Sequence, residues 1–246
     1  MKRAFDLIVA LAALAVLAPV LLAFGVLIWL QDRHSPFYLG SRVGQGGTSF
    51  RMVKFRSMVV HADRTGVAST AGDDGRITRL GRIVRRLKVD ELPQLWNVVT
   101  GDMSLVGPRP NVPTEVAVYT DVERGLLSVR PGVTDFASIV FADEGEILRG
   151  SGDPDRDYRL LIRPWKSRLG LHYVRRHSLG IDLRLLVLTA IGAVSRARAL
   201  RGVQRLLVRT GAPAELIRVA GRSDPLRATD PPGTGEGARQ QPLRYA

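Results

Sequence analysis

An uncharged apolar stretch near the N-terminus constrains the fold more than any other feature of this sequence. From Leu7 to Leu30 the chain carries no charged or strongly polar side chain. A helix rising about 1.5 Å per residue over this stretch would be about 36 Å long, enough for a hydrocarbon core of about 30 Å. We therefore expect the stretch to lie in a bilayer. A cleaved signal peptide is disfavoured, because its apolar run is usually only about 7–15 residues long.

The course of this stretch through the bilayer depends on Pro19 and on the flanking charges. Hydropathy alone favours a straight span. Pro19, however, removes a backbone hydrogen bond in mid-segment and predicts a kink or a break between two helices. Basic residues flank both sides, namely Lys2 and Arg3 before the stretch and Arg33 and His34 after it. Since the positive-inside bias then points neither way, we expect a re-entrant membrane helix over residues 1–33, broken near Pro19.

Charge and cysteine content narrow the possible partners. The net charge of +13 suits nucleic acid, an anionic membrane surface or a phosphorylated substrate. The absence of cysteine excludes disulfides, thiolate nucleophiles and thiolate metal ligands. Ten arginines against four acidic residues place almost half of the excess charge in residues 196–246. There we expect a basic amphipathic helix over 196–220, followed by a disordered tail over 222–246 that is rich in Pro, Gly and small polar residues.

A glycine turn at Gly44–Gly47 predicts a β-hairpin directly after the membrane segment. In the return strand Lys54 and Arg56 lie two residues apart and would share one face, where they could hold one anion together. Solvated surface charge is the alternative interpretation. Residues 61–76 show no apolar period, which predicts a mobile loop.

Two adjacent carboxylates, Asp90 and Glu91, follow a helical pattern that begins at Ile77 and carries arginines, Arg85 among them, on its outer faces. They could simply start a helix, because Asp is a favoured N-cap and Pro93 suits the first turn. They could also do chemistry, because a cap side chain can turn independently of its neighbour, so that both flank one region. Nearby cations would keep both ionised, which suits a nucleophile or a Mg²⁺ ligand.

The motif Gly107-Pro108-Arg109-Pro110 restricts the backbone and leaves Arg109 little freedom of direction. A rigid arginine loses less entropy when it binds phosphate, and its planar fork suits bidentate contact. With the carboxylates and the basic residues before them, Arg109 favours phosphoryl chemistry assisted by Mg²⁺. These residues do not identify the substrate.

Residues 155–200 have the apolar spacing of helices interrupted by arginines. A helix lying on anionic headgroups and a core helix with a charged outer face fit this pattern equally well. His172 and His177 lack partners at metal-ligand spacing, and we interpret both as structural.

The chain resembles the bacterial sugar transferase family, the monotopic phosphoglycosyl transferases, over residues 2–195. The resemblance rests on KRAFDL with Pro19, RVGQGGTSFRMVKFRSM, RITRLGRIVRRLKVDELPQLWNVVTGDMSLVGPRP, VRPGVTD and SLGIDLRLLVLT. It implies transfer of a sugar 1-phosphate from a UDP-sugar to undecaprenyl phosphate as the first membrane step of glycan assembly. Asp90 would attack the sugar-bearing phosphate, UMP would leave, and the acceptor phosphate would resolve a covalent phosphosugar-aspartate.

The resemblance also implies roles for neighbouring residues. Glu91 would support Mg²⁺ or proton transfer, with Asp90 and Glu91 as the metal ligands. The donor phosphates would be bound by basic residues, namely Lys54, Arg56, Arg85 and Arg109. Two departures from the family pattern stand out, Lys88-Val89 before the carboxylates and DFASIVFADEGEIL after VRPGVT. The second brings Asp143, Glu144 and Glu146 to a region expected near the donor and leaves the sugar open.

The expected fold is a small α/β-type cytoplasmic domain, mainly helical with a short β-hairpin, on an N-terminal re-entrant membrane helix and with C-terminal amphipathic helices. The chain divides into three parts. The membrane helix covers residues 1–33, the catalytic domain covers 34–195, and the basic helix and tail cover 196–246. The expected partners are the donor, the acceptor and an anionic phospholipid membrane, at the cytoplasmic face of the bacterial inner membrane.

Two other classes of protein are alternatives to this interpretation. A membrane-tethered nucleic-acid binder would explain the charge, but no zinc-finger spacing or recognition helix is evident, and we expect no nucleic-acid partner. A non-catalytic membrane scaffold would keep the fold without turnover. Intact Asp90, Glu91 and Arg109 argue against it.

Overall fold

The computed structural model describes residues 1–62 and 69–234. Helix α1, Lys2–Asp32, contains Pro19 in its interior. The predicted break near Pro19 is therefore not observed, because proline removes a single backbone hydrogen bond while the neighbouring turns keep theirs. Among the described residues, α1 alone is long and apolar enough to cross a membrane by length and composition. Its re-entrant course stays a prediction.

Both ends of α1 contact the rest of the chain. At its N-terminal end, Lys2 Nζ lies 2.5 Å from Asp182 Oδ2. At its C-terminal end, Asp32 accepts hydrogen bonds of 2.5 and 2.6 Å from the Arg56 guanidinium. The outer side of the helix exposes large apolar side chains along its length, namely Ile8, Leu11, Val16, Val20, Leu22, Val26, Leu27 and Leu30. The helix thus lies along the domain and presents an apolar surface outward.

The predicted hairpin is present as strands β1, Phe37–Val43, and β2, Ser49–Phe55, which pair antiparallel. Its turn includes a short 3₁₀ segment, Gln45–Gly47. Gly46 and Gly47 have φ of 67° and 82° there, which glycine adopts without steric cost. The hairpin is therefore correctly predicted from its glycine turn.

Helix α2, Arg79–Arg86, begins where Thr78 Oγ1 accepts a hydrogen bond from the Gly81 amide at 2.9 Å. It leads through a 3₁₀ turn, Val89–Glu91, to helix α3, Gln94–Thr100. Part of the predicted loop over 61–76, residues 63–68, lies outside the described residues.

Two very short strands, β3, Ser104–Val106, and β4, Gly132–Thr134, pair parallel behind the hairpin. Four short helices fill the connections, namely α4, Pro113–Ala117, α5, Phe136–Val140, α6, Glu144–Ile147, and α7, Pro154–Asp157. A π-helical turn, Tyr158–Ile162, follows α7. The fold is mainly helical, as predicted.

Helices α8, Arg163–Arg176, and α9, Leu179–Val194, account for the predicted helical region. Trp165, Leu169 and Tyr173 of α8 are buried, so α8 is a core helix. Helix α9 buries fewer of its residues than α8 does. It leaves other apolar side chains exposed, namely Leu183, Val187 and Val194.

Residues 196–220, for which one helix was predicted, contain parts of two helices: α10, Arg196–Arg209, and α11, Ala214–Gly221. Gly211, at φ 70°, and Pro213 separate them, since neither residue favours continuing a helix. Buried apolar residues of α10 share one core with those of α5 and α8.

Residues 222–234, predicted to be disordered, follow an irregular path along the domain. Leu226 packs against the core, and the Thr229 amide donates a hydrogen bond to Leu160 O at 3.1 Å. These contacts fix a segment whose composition favours disorder. The rest of the predicted tail, residues 235–246, lies outside the described residues.

Candidate active site

Asp90 does not cap a helix in this structure. It lies in the 3₁₀ turn between α2 and α3, after Lys88, whose φ of 57° turns the chain sharply. The N-cap position of α3 is Pro93, without a side-chain cap. Asp90 is 9 % exposed, and its Oδ1 is buried without a hydrogen-bond partner in the described part of the chain. The helix-start interpretation therefore leaves this carboxylate unexplained, since buried polar atoms are normally paired.

Glu91 is held by two basic side chains from distant parts of the sequence. Lys54 of β2 donates a hydrogen bond of 3.1 Å from Nζ to Glu91 Oε1. Arg109 donates from Nη1 to Oε2 at 3.2 Å and from Nη2 to Oε1, a bidentate pair. Two of the predicted site residues, Lys54 and Arg109, are thus assembled around the carboxylate of a third, immediately next to Asp90.

The backbone that carries Arg109 is fixed from two sides. The Gly107 amide donates to Thr134 O at 3.0 Å, and the Gly132 amide donates to Pro108 O at 3.0 Å, so the loop is held against β4. On the other side, the Val43 amide at the end of β1 donates to Asn111 O at 3.0 Å. The predicted rigidity of this loop therefore has a structural basis.

The environment moves the pKa values of the two carboxyl groups in opposite directions. Burial, with a contribution from the charge of Glu91, raises the pKa of Asp90 above its usual range. Burial would also raise the pKa of Glu91, but the charges of Arg109 and Lys54 outweigh it and hold that pKa well below the usual range. Neighbouring carboxyl groups with pKa values pushed apart are typical of distinct chemical roles.

Two further cations act on Asp90. The charges of Arg85 and Lys88 both favour its ionised form and oppose the effect of burial on its pKa. Arg85 is half-buried and Lys88 is exposed. Together with Lys54 and Arg109 they make the surroundings of Asp90 strongly positive, which suits a substrate with several phosphate charges.

Arg56 is not part of this cluster. Its guanidinium is paired with Asp32 at the end of α1, and its side chain is only 10 % exposed. The prediction that Lys54 and Arg56 share one anion differs from the structure because β2 ends at Phe55. The alternation of strand side chains does not extend to a residue beyond the strand.

A second polar group lies on the other side of Arg109, and of its members only Glu144 was expected near the donor from the sequence. Lys166 of α8 contacts Glu144, and together with Asp135 and Tyr158 it lines a pocket that also includes Arg109. Burial raises the pKa of Asp135, whose Oδ1 accepts a hydrogen bond from the Ser138 amide at 2.7 Å. An Asp followed three residues later by Ser signals only a helix cap, and Lys166 stands in no recognisable motif.

The residues at the predicted magnesium site provide only part of what a metal ion needs. In the described residues no group of three or more His, Cys, Asp or Glu side chains is arranged to hold a metal ion. Both oxygens of Glu91 are engaged by Arg109 and Lys54, whereas Asp90 has a buried oxygen without a partner. This set fits a Mg²⁺ ion that takes most of its ligands from water and substrate phosphates.

The two histidines have structural surroundings. His172 Nε2 lies 2.7 Å from Thr210 Oγ1, and burial, aided by Arg176 and Arg175, lowers the pKa of His172 to about 4. His177 lies against the ring of Tyr173, with ring centres 5.9 Å apart.

Comparison with known proteins gives consistent matches. Residues 1–196 match the family described as bacterial sugar transferase. The chain is 35 % identical over 202 residues to UDP-N-acetylgalactosamine-undecaprenyl-phosphate N-acetylgalactosaminephosphotransferase of Aeromonas hydrophila, which covers 78 % of this chain and 44 % of that protein. It is 37 % identical over 204 residues to UDP-glucose:undecaprenyl-phosphate glucose-1-phosphate transferase of Xanthomonas campestris pv. campestris, covering 80 % and 40 %.

A shorter relative matches over nearly its whole length. Exopolysaccharide production protein PSS of Rhizobium leguminosarum bv. phaseoli is 37 % identical over 209 residues, which cover 80 % of this chain and 97 % of that protein. The chain thus spans less than half of the two longer relatives and almost all of the shorter one. With a family match over residues 1–196 and these identities, the chain belongs to the bacterial sugar transferase family.

Proposed function

We propose that this chain transfers a sugar 1-phosphate from a UDP-sugar to undecaprenyl phosphate and releases UMP. The observation that carries the proposal is the buried Oδ1 of Asp90, which has no hydrogen-bond partner in residues 1–62 and 69–234 and lies next to a glutamate that holds Lys54 and Arg109 in place. The names of the relatives support the same acceptor, and they include UDP-N-acetylgalactosamine and UDP-glucose as donors.

Asp90 acts as the nucleophile in the proposed first step. One of its carboxylate oxygens attacks the phosphorus atom that bears the sugar. The bond from that phosphorus to the bridging oxygen breaks, and UMP leaves with the electron pair. Asp90 then carries the phosphosugar as an acyl phosphate. A carboxylate that makes few hydrogen bonds keeps its lone pairs available for such an attack.

The acceptor phosphate completes the reaction. One of its oxygens attacks the same phosphorus atom, the bond to Asp90 breaks, and the free carboxylate is restored. The product is a polyprenyl diphosphate sugar. Two displacements at one phosphorus atom allow the donor and the acceptor to use the site in turn.

Glu91 positions the basic residues in this proposal. Its low pKa keeps it ionised, so it is a poor proton carrier and a good partner for Arg109 and Lys54. These side chains, with Arg85, would bind the donor phosphates and neutralise the charge that develops on the leaving group. Mg²⁺, held by Asp90 and Glu91, would supply further neutralisation of the diphosphate when bound.

A comparison of UMP release by wild type and Asp90→Asn tests the reaction. Full-length protein in nanodiscs would receive undecaprenyl phosphate, Mg²⁺ and a panel of UDP-sugars. We expect UMP from at least one donor and a loss of roughly 10³-fold or more in Asp90→Asn, since an amide cannot replace the nucleophile. Asp121→Asn is the matched control, because Asp121 is fully exposed. Equal activity of Asp90→Asn and wild type would contradict the proposal.

We also propose that α1 inserts into the inner membrane from the cytoplasmic face and keeps both of its ends on that side. Both ends of α1 contact the domain, which supports this course over a straight span. Because the chain has no cysteine, single cysteines at Met1 and His34 can be labelled without background. We expect a membrane-impermeant maleimide to reach both from the same side. Labelling from opposite sides would contradict a re-entrant course.

A further inference from the structure

The C-terminal helices lie beyond the family match but belong to the same hydrophobic core. The match ends at residue 196, where α10 begins. Val203 and Leu207 of α10 are fully buried, and Leu216 and Ala220 of α11 are buried behind them. These two helices are therefore a fixed part of the domain, and the side chains they present to it have defined positions.

Arg222, at the end of α11, has an unusual conformation and buried surroundings. Its φ of 53° is in the left-handed region that L-residues rarely adopt. Its side chain is only 12 % exposed, and its Cζ lies 5.5 Å from the centre of the Phe141 ring. This φ belongs to the cap of α11, where the Arg222 amide donates to Val219 O, and the buried side chain beside Phe141 has a defined position.

The Arg222 side chain contacts Asp143, in the turn between α5 and α6. Arg222 Nη2 donates a hydrogen bond to Asp143 Oδ2 at 3.4 Å. Arg196, the first residue of α10, forms an ion pair with the other oxygen of the same carboxylate at 2.7 Å. Two arginines from two elements of the C-terminal segment therefore hold one aspartate.

The residues on either side of Asp143 face the candidate active site. Ala142 O accepts a hydrogen bond of 3.3 Å from Lys88 Nζ, two residues before Asp90. Glu144 pairs with Lys166, which lines the pocket beside Arg109. Burial would raise the pKa of Glu144, but the charges of Lys166, Arg109 and Lys88 bring it below its usual range. The turn is therefore electrostatically connected to the site.

We propose that Arg222 is a positioning residue, which through Asp143 fixes the turn 141–144 so that it holds Lys88 and Lys166 beside the donor site. The kinetic consequence of this role rests on the proposed function, but its structural consequence does not. Without Arg222, the turn keeps its ion pair with Arg196 but loses one of its two anchors on the C-terminal segment. The partners of Lys88 and Lys166 in the turn are then less firmly fixed, and the donor encounters a less ordered set of cations.

Hydrogen exchange tests the structural part independently of catalysis. Full-length Arg222→Gln in nanodiscs is compared with wild type and with Arg218→Gln, an exposed arginine of the same helix. We expect amides in peptides spanning 141–148 to exchange several-fold faster in Arg222→Gln than in wild type. In Arg218→Gln their exchange rates should equal those of wild type. Asp143→Asn removes the charge that both Arg222 and Arg196 contact and should speed exchange in the same peptides at least as much. Wild-type protection of this turn in both Arg222→Gln and Asp143→Asn would overturn the proposal.

Donor kinetics test the functional part. We expect Arg222→Gln to raise KM for the UDP-sugar roughly three- to tenfold with kcat within about twofold, the size of coupling found between connected sites. Arg222→Lys should recover part of the loss. The double variant Arg222→Gln/Asp143→Asn should be no worse than Asp143→Asn alone, because Asp143→Asn already removes the charge that Arg222 contacts.

The outcomes separate this inference from the proposed function. A fall in kcat with unchanged KM, or additive losses in the double variant, would overturn the positioning role. If wild type releases no UMP from any donor, the proposed function fails, and the exchange pattern at residues 141–148 still decides whether Arg222 fixes the turn.

Discussion

At the scale of single residues, the site depends on the different surroundings of two adjacent carboxylates. Asp90 is buried, with one oxygen that has no hydrogen-bond partner among the described residues, and Glu91 accepts hydrogen bonds from Lys54 and Arg109. From the residues alone, the restricted Pro-Arg-Pro loop favoured grouping Arg109 with the two carboxylates, whereas the place of Lys54 beside them was implied by the family resemblance. The exclusion of Arg56 could not be predicted, because it depends on where β2 ends.

Glu91→Gln should separate the positioning role of Glu91 from the nucleophilic role of Asp90. Without its charge, Arg109 and Lys54 lose their common partner, and we expect kcat/KM for UMP release to fall roughly 10–100-fold, as for misplaced catalytic groups. Glu146→Gln is the control, since Glu146 is well exposed and pairs only locally with Arg149. Unchanged kcat/KM in Glu91→Gln would contradict the positioning role.

The pH profile of the same reaction follows from the shifted pKa of Asp90. The nucleophile must be ionised, so the rate should fall as the pH decreases through a pKa that burial and Glu91 raise above 3.8. In Glu91→Gln the neighbouring negative charge is gone, and this acid limb should move to lower pH. The measurement is kcat/KM against pH for both proteins. An acid limb that moves to higher pH would contradict the assignment of the limb to Asp90.

At the scale of elements, the parallel pairing of β3 with β4 fixes Arg109. Strands of three residues give no alternation that a sequence can reveal, so this pair was not predicted. Its close backbone contact requires glycine, because a Cβ on Gly132 would lie 2.0 Å from the Gly107 amide nitrogen. The longer hairpin, with its turn glycines, was predictable.

Gly132→Ala should therefore destabilise the protein and misplace Arg109. We expect a loss of about 1–3 kcal/mol, the range for overpacked interiors, with a Tm lower by roughly 2–4 °C per kcal/mol. Gly75→Ala, where a Cβ meets nothing within 4 Å, should stay within about 0.5 kcal/mol of wild type. Thermal unfolding of both variants in the same nanodiscs checks this. Equal Tm values would contradict the close contact.

At the scale of the whole molecule, α1 and the positive charge offer two different ways to bind a membrane. The sequence predicts an apolar helix and a net charge of +13 but not which of them holds the chain in place. In the structure, α1 contacts the domain at both ends, so its exposed apolar side and the domain move as one body. Anchoring by this side would resist salt, whereas anchoring by charge would not.

Arginine substitutions on the outer side of α1 distinguish anchoring by the apolar side of α1 from anchoring by charge. Val16 and Leu22 are 77 % and 70 % exposed there, and arginine in a hydrocarbon core costs about 2.5–3.5 kcal/mol per residue. We expect Val16→Arg/Leu22→Arg to leave membranes in 1 M NaCl, where the Debye length is about 3 Å, while wild type remains bound. Val118→Arg, an exposed apolar position outside α1, controls for added charge. If the double variant stays bound in high salt as wild type does, the outer side of α1 is not the anchor. If wild type itself is released, charge holds the chain on the membrane.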